Sequence, residues 1–366
     1  MSVPFINLQT QYQSLKAEIN RRIDRVLEHG QYILGPEVDE LEEKLASFVG
    51  AKHCITVASG TDALLISLMA IGLEPGDEVI TTPFTFVATA EVIALLGAKP
   101  IFVDIEPDTC NIDSSLIEAK ITSKTKAIIP VSLYGQPANL EEINLVAEKY
   151  GNIPVIEDAA QSFGAEYQDK KSCNLSTIGC TSFFPSKPLG CYGDGGAIFT
   201  SDDQLAQIFK QLRVHGQSER YVHTRIGVAG RMDSIQCGVL LAKLDHFDWE
   251  IQQRHEIGAR YNAELDRIGI ERVQQKSDRT SVFAQYTLMH DDRENLKCRL
   301  GEAGIPTAIH YPVPINEQPA YKKFCCPDCT PVAKRIAKQV VSLPMDAYLK
   351  PTTQTLVVKE LERALR

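Results

Sequence analysis

The sequence predicts an α/β protein in which a large, mostly parallel sheet domain precedes a smaller C-terminal α+β domain. Three observations carry this. Between His53 and Thr200, short segments that are apolar throughout recur with helical segments between them, the texture of strands buried on both faces of a parallel sheet. From Ser281 onward, strand and helix signals mix without that alternation. At 366 residues the chain also exceeds what one hydrophobic core usually serves, so two domains are expected, 1–250 and 251–366.

Taken in order, Tyr12, Leu15, Ile19, Ile23 and Val26 recur every three or four positions and predict an opening amphipathic helix. Val38, Leu41, Leu45 and Phe48 repeat the pattern until Gly50 stops it. Strands are expected at His53–Val57, Glu78–Thr81, Pro100–Val103, Ala127–Val131 and Val155–Glu157. Helical segments around Thr61–Ile71, Val87–Leu96, Leu116–Lys120 and Leu140–Tyr150 supply the crossovers. Cys180–Phe184 and Gly196–Thr200 read as further strands, and one long helix as running from Ser234 to about Asp266. The C-terminal part reads as a strand at Val282–Leu288, a helix at Glu294–Gly304, a strand at Thr307–Tyr311 and two last helices.

Composition narrows the function classes. Apolar residues make up 44% and charged residues 23%, as in an ordinary soluble enzyme. No run of about 18 apolar residues is present, so no membrane span is expected. Met1–Gln11 has no basic segment followed by an apolar block, so a cytosolic protein is expected. The net charge of −9 is offset by no long basic run, which argues against nucleic acid as a partner. Ten cysteines in such a chain are expected to be reduced thiols. Cys326-Pro-Asp-Cys329 has the spacing of a metal or redox pair, but a structural zinc site normally needs a second pair. A plain surface loop and no metal are expected.

In open parallel sheets, ligands sit at the carboxyl ends of strands. After Val57 comes Ala58-Ser59-Gly60-Thr61-Asp62, a small-residue turn feeding a helix, which suits a phosphate or is simply a capped helix start. Phe86 follows a second strand end and could stack on a flat ring or belong to the core. After Glu157 comes Asp158, an acid at a buried strand end. It needs a positive partner, such as a pyridinium N–H, unless it only caps the next turn. After Phe184 comes Pro185-Ser186-Lys187-Pro188-Leu189-Gly190, then Gly193-Asp194-Gly195-Gly196. A lysine held between apolar strands and glycines loses hydration, which frees its amine for imine formation. Each piece alone is ambiguous. Phosphate turn, aromatic, acid and lysine at successive strand ends together specify pyridoxal phosphate (PLP).

The strings Gly30–Glu37 (GQYILGPE), Gly60–Leu64 (GTDAL), Glu157–Gln161 (EDAAQ) and Phe183–Gly190 (FFPSKPLG) resemble the DegT/DnrJ/EryC1/StrS family of sugar aminotransferases over nearly the whole chain. The resemblance implies the fold type I architecture of PLP enzymes and a homodimer with shared active sites. It implies that Gly60 and Thr61, with Asp62 in the same turn, and Ser182 bind the phosphate. Phe86 would stack on the ring, Asp158 would pair with its nitrogen, and Gln161 would lie near its hydroxyl. Lys187 would be the Schiff-base lysine and then the general acid/base; in a subset of the family it is histidine and the outcome is dehydration. Cys180–Gly196 and His310–Pro312 resemble most closely the members that aminate a UDP-linked 3-oxo-glucuronate derivative, with L-glutamate as donor, for a bacterial surface polysaccharide precursor. By the same resemblance Arg231, His310 and Tyr311 contact substrate, some from the partner subunit. The basic stretch Arg213–Arg231 suits a diphosphate and a carboxylate, or is a solvated loop. One departure stands out. Ala229 occupies the place where the family commonly offers an asparagine to the cofactor phosphate, so a backbone amide or water is expected to substitute, Gly230 giving the loop freedom.

Three other readings compete: another PLP enzyme of the same fold, such as a lyase, a desulfurase or an aminotransferase on a different keto-sugar; a protein that holds PLP without turnover; and a cysteine-based redox or metal protein. Lys187 does not separate the first from an aminotransferase, the basic stretch disfavours a plain amino-acid substrate, and the intact acid–lysine pair disfavours the second.

Overall fold

The computed structural model describes residues 3–325 and 327–366. After helices α1 (Leu8–His29) and α2 (Pro36–Val49) come strands β1 (His53–Val57), β2 (Glu78–Thr81), β3 (Lys99–Phe102), β4 (Thr125–Ile129), β5 (Ile156–Asp158), β6 (Ile178–Ser182) and β7 (Gly196–Thr200). They form a three-stranded part, β3-β2-β4, and a four-stranded part, β5-β6-β7-β1. Parallel bridges Ile128↔Val155 and Val131↔Asp158 join the two parts edge to edge. Crossover helices α3 (Gly60–Ala70), α4 (Ala88–Leu95) and α5 (Leu140–Lys149) cover the sheet, and α6 (Asp203–Leu212) follows β7. Apolar residues such as Ile55, Val57, Ile156 and Ile198 are fully buried, as central strands require.

One strand runs against the rest. β7 is antiparallel to both β1 and β6, because the 183–195 connection folds back on itself, with Phe183 N–H donating to the Gly195 carbonyl at 2.7 Å and Cys191 N–H to the Phe183 carbonyl at 2.8 Å, and so returns the chain at the same end of the sheet. Its register sets Gly196 opposite both Val57 and Ser182. Three expected functional stretches therefore meet at one end of the sheet.

Elsewhere the chain differs from the sequence expectation in definite ways. The helix expected over Ser234–Asp266 is two helices, α7 (Ser234–Leu244) and α8 (Phe247–Ile268). The break sets Phe247 against the buried Phe163, ring centroids 5.7 Å apart, so the long helix is traded for aromatic packing. Leu116–Lys120 forms two 3-10 turns rather than an α-helix. The strand expected at Thr307–Tyr311 is only a bridge from Ala308 to Ser342; prolines on either side of that segment limit ladder pairing.

In the C-terminal region β8 (Tyr286–Met289) pairs with β9 (Val340–Leu343), flanked by α9 (Arg293–Glu302), the short α10 (Pro331–Ile336) and α11 (Pro351–Ala364). Its core draws on Ile257, Tyr261 and Leu265 of α8 and on Val3 from the start of the chain. The first turns of α8, with Phe247 and Ile251, belong instead to the core of the large sheet.

Among the described residues no helix is long and apolar enough to cross a membrane, and no cluster of three potential metal ligands occurs. Cys54, Cys110, Cys173, Cys180, Cys191, Cys237 and Cys298 are free thiols. Cys329 is disulfide-bonded, which corrects the expectation that every thiol is reduced; Cys326 lies outside the described residues.

Candidate active site

A cavity of about 480 Å³ opens at the carboxyl ends of β1, β5 and β6. Its walls include Gly60, Thr61, Phe86, Asp158, Gln161, Ser182, Lys187, His310 and Tyr311, so the fold gathers nine separately named side chains or turns around one space. Asp62 and Arg231 are not in its wall. Asp62 lies one turn into α3, where its N–H donates to Ser59 Oγ at 3.0 Å and its carboxylate accepts from the same hydroxyl at 3.1 Å. Arg231 follows the exposed Ala229, and its guanidinium has no hydrogen-bond or ion-pair partner among the described residues.

The turn after β1 is squeezed between two strands. A Cβ on Gly60 would fall 2.6 Å from Ser182 Cβ, and one on Gly196 would fall 2.5 Å from the Ser59 carbonyl carbon, so glycine is required at both. Ser59 caps α3 by accepting from Asp62 N–H, and its carbonyl accepts from Ala63 N–H. The N–H groups of Gly60 and Thr61 are left with no partner among the described residues, pointing from the positive end of α3 toward the cavity. Ser182 Oγ accepts weakly from Phe184 N–H at 3.3 Å, and its own proton remains available.

Across the cavity, Asp158 is buried at the end of β5. Thr89 Oγ1 donates to its Oδ2 at 2.8 Å and Ala160 N–H to its Oδ1 at 3.2 Å. Burial pushes this carboxyl above its usual range, while the Thr89 and Ala160 donors and the Lys187 ammonium pull it back down. Lys187 responds in the complementary sense: burial lowers its amine, and Asp158 opposes that. The pair is thus poised closer to neutrality than either group in water. Phe86, half-exposed, faces Tyr311 with ring centroids 6.2 Å apart. Gln161 is fixed at both ends. Its Oε1 accepts from Tyr134 N–H at 2.8 Å and its Nε2 donates to Tyr311 Oη at 3.1 Å, which leaves one amide proton for a ligand. Tyr134 Oη donates to the His310 carbonyl, tying the small unit's loop to the cavity.

Burial and the nearby Lys187 ammonium drop His310 to about 4. Its folded value lies below the ordinary range of about 6.5, so the unfolded chain binds the extra proton first as pH falls. Stability contributed by neutral His310 is present above about pH 6.5 and is lost toward pH 4. His310→Gln should therefore flatten the fall in melting temperature over that range; an unchanged slope would show that His310 does not titrate there.

The sequence reading missed Thr89, Gln285, Asp194 and Tyr134. Asp194 and Gln285 line the cavity, while Thr89 and Tyr134 hold the groups that do. Asp194 sits inside the glycine stretch that was singled out; for the others no local pattern existed. The basic stretch also changes meaning at one position. Arg213 is buried in an ion pair with Glu42 and donates to the Thr56 carbonyl at 2.9 Å, so it braces the fold and is not available to substrate.

Known proteins share this fold. Residues 13–362 match the family described as the DegT/DnrJ/EryC1/StrS aminotransferase family. The chain is 56% identical over 359 residues to a Pseudomonas aeruginosa protein named UDP-2-acetamido-2-deoxy-3-oxo-D-glucuronate aminotransferase, covering 98% of this chain and 99% of that one. It superimposes on a DegT DnrJ EryC1 StrS aminotransferase from Brucella abortus with a TM-score of 0.95 at 40% identity, over 98% of each chain. NtdA from Bacillus subtilis, with bound cofactor PMP, gives 0.91 at 29% identity, over 100% of this chain and 85% of that one.

Proposed function

Since this chain belongs to the DegT/DnrJ/EryC1/StrS aminotransferase family and is a PLP-dependent transaminase, we propose that it transfers an amino group from L-glutamate to UDP-2-acetamido-2-deoxy-3-oxo-glucuronate. The 56% identity over 98% of the chain to the Pseudomonas aeruginosa enzyme of that name is the observation that carries the substrate. We extend the proposal to a role in making a surface polysaccharide precursor, and to the cytosol, which the seven free thiols support. The test is to supply purified protein with PLP, glutamate and a panel of UDP-keto-sugars and to identify the aminated product by mass. Reaction with neutral keto-sugars alone would sink the uronate assignment and leave the transaminase standing.

The cavity fits the cofactor on three counts: N–H groups at a helix start that have no partner among the described residues, glycines where a side chain would block the turn, and a buried acid beside a partly buried lysine. Bound there, PLP supplies the electron sink that lets a C–H bond beside nitrogen be broken. Gly60 and Thr61 N–H and the Ser182 hydroxyl would hold its phosphate. Asp158, steadied by Thr89 and Ala160, would keep the ring nitrogen protonated, and Phe86 would cover the ring against water. The free amide proton of Gln161 would reach the ring hydroxyl. Lys187 would anchor the cofactor through Nζ and, once released, carry the proton at that same atom. His310 and Tyr311 would meet the sugar. We also place the border between the two units within α8, near residue 250.

Homodimer formation with shared sites is part of this reading. Exposed Phe86, Phe184, Tyr221, Val222 and Ile226 give the chain apolar surface near the cavity and the basic loop, as an interface would need. Arg231, unpaired and outside its own cavity, would then serve the partner's. Mixing Lys187→Ala with Arg231→Ala protein should restore about a quarter of wild-type activity, because random pairing puts one intact site in half of the dimers. No recovery after confirmed subunit exchange would put Arg231 in its own subunit's site. Ala229 N–H has no partner among the described residues and can take over the donor role of the missing asparagine. The holoenzyme should keep its PLP through prolonged dialysis; rapid loss would refute that substitution.

A further inference from the structure

Lys243 on α7 is 1% exposed and forms no ion pair among the described residues. Among the described residues its Nζ makes a single hydrogen bond, 2.5 Å to the Gly190 carbonyl, and it lies 4.3 Å from the centre of the Tyr192 ring. An ammonium sealed in a protein interior with one neutral acceptor and one aromatic face is poorly compensated for its lost hydration. Such a group is a burden on stability, and the reaction outlined above does not use it.

Its position gives it a use. Lys187 sits on a tight loop that leaves β6 and returns through Cys191. Lys187 N–H donates to the Phe184 carbonyl at 2.9 Å, and Cys191 N–H closes the base on the Phe183 carbonyl at 2.8 Å. A Cβ on Gly190 would lie 2.6 Å from the Pro185 oxygen, so the two arms of the loop touch. Helix α7 grips the returning arm twice. Gln236 Oε1 accepts from Tyr192 N–H at 2.8 Å, and Lys243, two turns further along the same face, holds the Gly190 carbonyl. We propose that Lys243 is a positioning residue: it pins the arm that follows Lys187, so that the cofactor lysine is presented to the cavity from a fixed loop.

Burial lowers the Lys243 amine to about 8, and Glu250 of α8 and the Cys191 thiol oppose that shift. Tyr192 from the loop is a further titratable group against it. The folded value lies below the ordinary lysine value, so the unfolded chain holds more protons between about pH 8 and pH 10.5. The cost of the buried charge is fully present below about pH 8 and fades above it.

The experiment uses the Lys243→Met holoenzyme, which fills the space without charge or donor. At pH 7 its melting temperature should equal or exceed that of the wild type. The glutamate half-reaction should slow about tenfold with little change in glutamate affinity. In cofactor-free protein, amide exchange should quicken about tenfold over 184–193 and stay unchanged in α3. Gln236→Leu should give the same pattern, and the double variant should be little slower than the slower single variant. A variant that loses melting temperature and rate together, or strictly multiplicative effects in the double variant, would overturn the proposal. It rests on Lys187 being the cofactor lysine, and borohydride labelling of the wild type tests that separately.

Discussion

Replacing Lys187 by alanine is expected to lower the rate of amino transfer by about 10⁴-fold, the upper range for a positioned proton donor and acceptor. The loss should fall on the catalytic step. The cavity offers PLP other holds, namely the open N–H groups of Gly60 and Thr61, the Ser182 hydroxyl and Asp158. The variant should therefore still bind PLP, reversibly and without a covalent link. The fold should survive, because Nζ of Lys187 donates to no acceptor among the described residues and its partial burial costs it hydration. Borohydride treatment of the wild type should fix the cofactor to the peptide carrying Lys187, and the variant should yield no labelled peptide. Label on a different lysine, or activity within tenfold of wild type, would end the assignment.

What the sequence disclosed and what it withheld follow from the range of the interactions. Lys187, Asp158 and the Gly60 turn were legible because each sits directly after an apolar strand, where composition alone marks the position. The register that sets Gly196 opposite Val57 and Ser182 was not legible, since pairing between β1 and β7 spans most of the domain. The same holds for Thr89, which reaches Asp158 across 69 positions, and for Tyr134, which meets His310 across 176. Charge misled in one place: Arg213 looked like the start of a substrate patch, yet Glu42 and the Thr56 carbonyl absorb it. Helix propensity misled in another, where α7 and α8 part so that Phe247 can reach Phe163. Local pattern named the reactive groups; packing decided which neighbours tune them.

Asp158→Asn should lower the rate by about 10²- to 10³-fold, at or below the size of effect expected at Lys187. The amide keeps the shape: its one oxygen can accept from Ala160 N–H, and its NH2 can donate to Thr89 Oγ1, whose proton then goes to the Phe86 carbonyl 3.3 Å away. It brings no charge to hold a ring proton in place. Stability distinguishes this role from a structural one. In the cofactor-free protein, burial raises the Asp158 carboxyl above its unfolded value, so the folded state binds the proton more tightly. Stability then falls as pH rises through that raised value, and at pH 7 the ionised group is a net cost. Cofactor-free Asp158→Asn should accordingly melt no lower than wild type at pH 7, with any advantage shrinking as the carboxyl is protonated in acid. Adding PLP should reverse the order, because a ligand stabilises in proportion to its affinity and only the wild type offers the ring nitrogen a counter-charge. Equal stabilisation of both proteins by PLP would mean that the carboxylate faces something other than the ring, and the acid–lysine axis of the site would have to be redrawn.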